Sequence, residues 1–130
     1  MALTLQDARK VLDAAEARAR EIGINVSISV VDPRGDLVAA HRMDGARWFT
    51  PEVARGKATV SATFGAPSAD FVDRASTPVM QSLNMMAQGG LVYGQGAVPV
   101  NRGSLEGGVG VSGGSSQQDE DIAKAGVAAL

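Results

Sequence analysis

The chain has no cysteine, one histidine and only 4% aromatic residues. The missing thiols remove disulfides, thiolate nucleophiles and cysteine-ligated metals together. With His41 alone, no second His or Cys completes a zinc site. The shortage of aromatics leaves a core of Ala, Val, Leu, Ile and Met, and small side chains imply closely packed backbones. Charge of one sign is also missing: Lys plus Arg number 12 against 14 Asp plus Glu, a formal net charge of -2, with no long block of either. Nucleic acid is therefore a poor partner. No run of about 18 apolar residues offers a membrane span. Met1-Ala2-Leu3-Thr4 enters an amphipathic pattern without a basic or apolar leader, so the expectation is a soluble, cytoplasmic protein. At 130 residues, one domain over residues 1–130 is expected, burying roughly two thirds of the unfolded chain's surface.

What is present changes period along the chain. Thr4 stands as an N-cap with Asp7 in the first turn, and Ala8, Val11, Leu12, Ala15, Ala19 and Ile22 recur at helical spacing until Gly23. From Ile24 the period becomes two, with Val26, Ile28 and Val30 on one face and Asn25, Ser27 and Ser29 on the other. Asp32-Pro33-Arg34-Gly35 is turn chemistry, and Asp36 to Met43 pairs back as a hairpin. Thr50-Pro51-Glu52 starts a helix with a hydroxyl cap that runs to Phe64, before Gly65 and Pro67. Short helices are expected over Ala69 to Arg74 and Pro78 to Met86. Strands are expected over Leu91 to Tyr93, Ala97 to Val100 and Leu105 to Ser112, and a last helix from about Ser116 toward Leu130. The order α-β-β-α-α-β-β-β-α indicates an α+β domain with one antiparallel sheet.

Few residues can carry chemistry. His41 is a candidate axial haem ligand or general base, or an ordinary strand-end histidine. Arg42 and Asp44 follow at the hairpin end, where a guanidinium can fork around a carboxylate or pair with Asp44. Lys57, between Gly56 and Ala58, is either partly desolvated and suited to base or nucleophilic chemistry, or a lysine that reaches out to solvent. Val109-Gly110-Val111-Ser112-Gly113-Gly114-Ser115 joins a strand to an acidic-capped helix. Its N–H groups and the Ser112 hydroxyl could hold a small anion, or Ser115 could simply cap the helix. Met43, Met80, Met85 and Met86 read as core or interface. The glycine run is neither a dinucleotide fingerprint nor a P-loop.

Val31-Asp32-Pro33-Arg34-Gly35-Asp36, Arg42-Met43-Asp44-Gly45-Ala46, Gly56-Lys57-Ala58, Gly65-Ala66-Pro67-Ser68, Gly110-Val111-Ser112-Gly113-Gly114 and Gln118-Asp119-Glu120-Asp121 closely resemble the GlcG/HbpS family, described as haem-binding or haem-degrading. The chain is similar as well to the corrinoid-related PduO C-terminal domain. The resemblance implies a five-stranded antiparallel sheet flanked by helices in a profilin-like three-layer arrangement. It also implies subunits that assemble as homo-oligomers from dimer to octamer, and haem or another tetrapyrrole as ligand. Two classes of function follow. One is a haem or tetrapyrrole binder with His41 as axial ligand and Arg42 or the turn of Ser112, Gly113, Gly114 and Ser115 holding propionates. The other is a cofactor-free enzyme on a small carboxylate, in which Arg42 and the glycine turn bind the acid and Lys57 or His41 moves a proton.

Overall fold

The computed structural model describes residues 2–130. Helix α1 (Leu5–Ile22) begins at a capping box in which Thr4 and Asp7 satisfy each other's backbone N–H groups, and it stops at Gly23 in the left-handed region. Strands β1 (Ser27–Val31) and β2 (Leu37–Arg42) form the expected hairpin. The other elements are α2 (Thr50–Phe64), a 3-10 turn (Ser68–Arg74), α3 (Pro78–Met86), β3 (Ala97–Asn101), β4 (Leu105–Ser112) and α4 (Ser116–Val127). The sheet is antiparallel with strand order β2-β1-β4-β3.

The sheet has four strands among the described residues, and this corrects the expectation of five. Leu91 to Tyr93 joins no ladder. The Leu91 N–H donates to Asn84 Oδ1 at 2.9 Å and the Val92 N–H to the Gly56 carbonyl at 3.2 Å. The segment therefore lies against α2 rather than along a sheet edge. Gly56 is what admits it, because a Cβ there would occupy the space of the Val92 side chain.

Alternation along β1 assigns each face its cover. Val26, Ile28 and Val30 join α1 and α4 residues such as Leu12 and Ile122 in the main core. Ser27, Ser29 and Val31 turn toward α2, where Ser27 Oγ meets Thr50 Oγ1 at 2.8 Å and Ser29 Oγ donates to the Pro51 carbonyl at 3.1 Å. The polar face is thus buried and satisfied rather than wet. Thr50 does not cap α2. It is buried within the first turn, and its hydroxyl donates to the Arg47 carbonyl at 2.7 Å while accepting from Ser27.

Glycine at alternate positions of β4 lets α2 lie directly on the strand. A Cβ on Gly108 would run into the Ala58 carbonyl, and one on Gly110 into that of Ala54. Ala54, Ala58 and Ala62 are spaced one turn apart on the helix and buried against the sheet. This close seat fixes where Lys57, on the same helix, delivers its ammonium group.

A guanidinium ties the β3–β4 turn to the start of α1. Arg102 donates to both Glu106 oxygens at 2.7 and 2.9 Å and to Asp7 Oδ2 at 3.0 Å. That contact holds the Glu106 carboxyl below its ordinary value, while the Thr4 backbone first and Arg102 second do the same for Asp7. A depressed carboxylate pKa stabilises the fold above the unfolded-state value and ceases to do so as pH falls through the folded one. Stability of the wild type is therefore expected to decline more steeply than that of Arg102→Ala between about pH 5 and about pH 3. Parallel urea titrations across that range check this; identical slopes would remove the fork from the acid response.

Among the described residues no helix is long and apolar enough to cross a membrane. Helix α3 buries none of its residues, and Val79, Met85 and Met86 on it are largely exposed, as is Trp48 before α2.

Candidate functional site

Lys57 ends in a buried ion pair. Its Nζ donates to Asp119 Oδ2 at 3.1 Å and to the Val111 carbonyl at 3.0 Å, with the lysine side chain 10% and the aspartate 4% exposed. Space for the pair comes from Gly96, where a Cβ would sit 2.9 Å from both Lys57 Nζ and Asp119 Cβ. Asp119 also accepts the Gly114 N–H through Oδ1 at 2.8 Å. One carboxylate therefore fastens the glycine turn, the end of β4, α4 and α2 together. Lys57 therefore does not reach out to solvent; its ammonium group is buried and paired.

The same contacts decide which groups of the turn are free. The Gly114 N–H is taken by Asp119. Ser115 forms a capping box with Gln118, its N–H donating to Gln118 Oε1 at 2.9 Å and its hydroxyl accepting from the Gln118 N–H at 3.2 Å. Neither N–H is open to an incoming anion, so Ser115 is a helix cap. Gly113 adopts φ +136 and lies against the backbone of Asn25 and Val26, which a Cβ would strike. The Ser112 hydroxyl has no protein partner among the described residues and is not sealed from solvent.

Ser112, Gly113, Gly114 and Lys57 line one cleft of about 670 Å³, together with Asn25, Arg47, Thr50 and Asp119. Arg42 and Asp44 are elsewhere. Arg42 shares a register row with Ser27 and Ser112, two strands and roughly 10 Å from the latter. Its Nη1 donates to the Ala46 carbonyl at 3.1 Å. With Asp44 it lines a second cleft of about 540 Å³, beside Glu16, Arg20 and Met43. The arginine that lines the Lys57 cleft is Arg47.

His41 lies on the opposite face of β2 from Arg42, paired with Ile28 and turned toward α1. Its Nδ1 is buried, 3.3 Å from Glu16 Oε1 but off-line, so it lacks a hydrogen bond. The side chain is 40% exposed, and the exposed part of the ring is not Nδ1. Glu16 also pairs with Arg20 at 2.7 Å. The four methionines are not gathered: Met43 packs on the main core, Met80 beside Phe71, and Met85 and Met86 face out.

Asp119, Glu16 and Arg47 escape the sequence reading. Asp119 is one of three consecutive acids at the start of α4, and its partner Lys57 is 62 residues away. A buried helical lysine needs an acid, but nothing in the sequence tells Asp119 from Glu120 or Asp121.

A family model described as haem degrading protein HbpS-like matches residues 3–128. The corrinoid adenosyltransferase PduO of Citrobacter freundii is 33% identical over the whole chain, which spans 39% of that protein's length. A 15.0 kDa protein from the dhaT-dhaS intergenic region of Citrobacter freundii is 32% identical, covering 94% of this chain and 87% of that protein. The structure superposes on a double mutant of Streptomyces reticuli HbpS with a TM-score of 0.87 at 32% identity, covering 100% of this chain and 88% of that one. It superposes equally on the PduOC:heme complex, with a TM-score of 0.88 at 32% identity over 100% and 96% of the two chains. Matched along nearly its whole length, the chain belongs to the HbpS-like family.

Proposed function

We propose that this protein binds haem or a closely related tetrapyrrole, with the iron taken by His41. The observation that carries the reading is the likeness along the whole chain to a protein solved as a haem complex. The chain's own residues fit the group at one place. A carboxylate beside Nδ1 favours the proton on that nitrogen, which leaves the Nε2 lone pair for a metal, the usual role of an outer-shell carboxylate. Glu16 stands 3.3 Å away, off-line for that hydrogen bond, and the exposed part of the ring lies away from Nδ1. In the cleft next to Glu16, Arg20 and Arg42 supply guanidinium groups for the propionates. When bound, the haem would supply an iron centre, which His41 would hold through Nε2.

Haemin titration of the purified protein tests this, with a saturable Soret band at one haem per subunit as the expected result. A Soret band that never saturates would count against a defined site. Glu16 is a positioning residue: Glu16→Gln is expected to weaken haem by about 10-fold or more and to shift the Soret maximum, whereas a merely structural role would lower thermal stability and leave the spectrum alone. Self-association belongs to the same proposal, supported by the exposed Val79, Met85 and Met86 of α3. Light scattering of the wild type against a Val79→Asp, Met86→Asp variant is expected to show a smaller species for the variant.

A further inference from the structure

The cleft around Lys57 is not explained by haem at His41, which lies across the sheet from it. Its fixed charges are Arg47 and Lys57 against Asp119, two cations and one carboxylate, a net of one positive charge. Both Asp119 oxygens are already committed, to Gly114 and Lys57. Arg47 has no carboxylate within ion-pair distance among the described residues. Lys57 uses two of its three ammonium protons on the protein, so the third has no protein acceptor. Ser112 adds a hydroxyl donor: the residue lines the cleft, and its Oγ has no protein partner among the described residues yet is not sealed from solvent.

We infer that this cleft is a site for a small monocarboxylate, held by the Arg47 guanidinium, the Ser112 hydroxyl and the free proton of Lys57. The single net positive charge suits a monoanion, and a guanidinium offers a carboxylate two parallel bonds. The mouth is polar and framed by the exposed Asn25 and Arg47, which suits a ligand of a few carbons better than an extended apolar one. A carboxylate could also be a haem propionate reaching over the sheet end, and competition with haemin separates the two sources. The inference does not depend on the haem reading.

The experiment is a titration of the ¹⁵N-labelled full chain with pyruvate, lactate and propionate, with succinate and inorganic phosphate as competing classes. The expected result is saturable movement of the Ser112, Gly113 and Ser116 amide signals by at least one monocarboxylate at about 10 mM or below. Arg47 is exposed, so Arg47→Ala keeps the fold intact, and it should weaken that binding by about 10-fold or more. Ser112→Ala should weaken it by a smaller factor, and His41→Ala should leave it unchanged. The inference is overturned if no monocarboxylate saturates, if Arg47→Ala binds as the wild type does, or if succinate or phosphate binds more tightly. Haemin that displaces the acid from wild type and loses its own affinity in Arg47→Ala would make the cleft a propionate seat and overturn the free-acid assignment.

Discussion

Lys57→Met is expected to destabilise the fold by about 3–5 kcal/mol, the range for breaking a buried ion pair by removing one partner. The loss goes beyond one bond. Asp119 would be left ionised at 4% exposure with only the Gly114 N–H to balance it, and the Val111 carbonyl would lose its lysine donor. Pairing the change with Asp119→Asn keeps an acceptor for Gly114 and removes the stranded charge. The double variant should therefore recover a large part of the loss, since a buried pair exchanged as a unit is often close to neutral. Chemical denaturation of both singles and the double gives the coupling directly. If Lys57→Met lies within about 1 kcal/mol of wild type, the pair is not what fastens the glycine turn to α2.

A comparable loss is expected from one methyl group on β4. Gly110→Ala would place a Cβ against the Ala54 carbonyl and 2.8 Å from the Ala58 nitrogen, both backbone atoms of α2. No rotamer change relieves such a clash, so helix and sheet must separate. The expected effect is at or above the upper end of the roughly 1–3 kcal/mol usual for overpacking, seen as lost soluble yield or a sharply lower Tm. Gly94→Ala is the matched control: its nearest neighbour would be Lys57 Cε at an ordinary 3.5 Å, and it should stay within about 0.5 kcal/mol of wild type. Similar behaviour of the two variants would refute the close seating of α2.

The composition foreshadows that seating. With so few aromatics and 16 glycines, only closely approaching backbones can fill the interior. Elements that announce themselves locally are legible: the Thr4 box and Gly23 bound α1, the Asp32 to Gly35 turn sets the hairpin, and Gly65 ends α2. Leu91 to Tyr93 misleads because a short apolar run looks alike whether it joins a sheet or lies on a helix; what holds it is the carbonyl of Gly56, far away in sequence. Alternation in β1 shows two unlike faces but not that α2 covers the serine face. Thr50 escapes for that same reason, its hydroxyl being used by Ser27.

The site divides along the same line. Lys57, Ser112, Gly113 and Gly114 come together because α2 and the end of β4 are packed. Neighbours in sequence need not share a face: His41 and Arg42 point to opposite sides of β2, so one ligand can reach both only around the end of the strand, where Arg42 lines the cleft beside Glu16. Which arginine reaches the cleft depends on the path of the β2–α2 loop, and Arg47 rather than Arg42 follows it.

Haem ligation by His41 is decided by titrating haemin into wild type and His41→Ala and comparing the Soret region with and without added imidazole. A saturable band is expected for wild type. The variant should show a displaced maximum and affinity weaker by about 10-fold or more, with imidazole restoring the wild-type spectrum. Superimposable spectra and equal affinity for the two proteins would rule out His41 as the ligand.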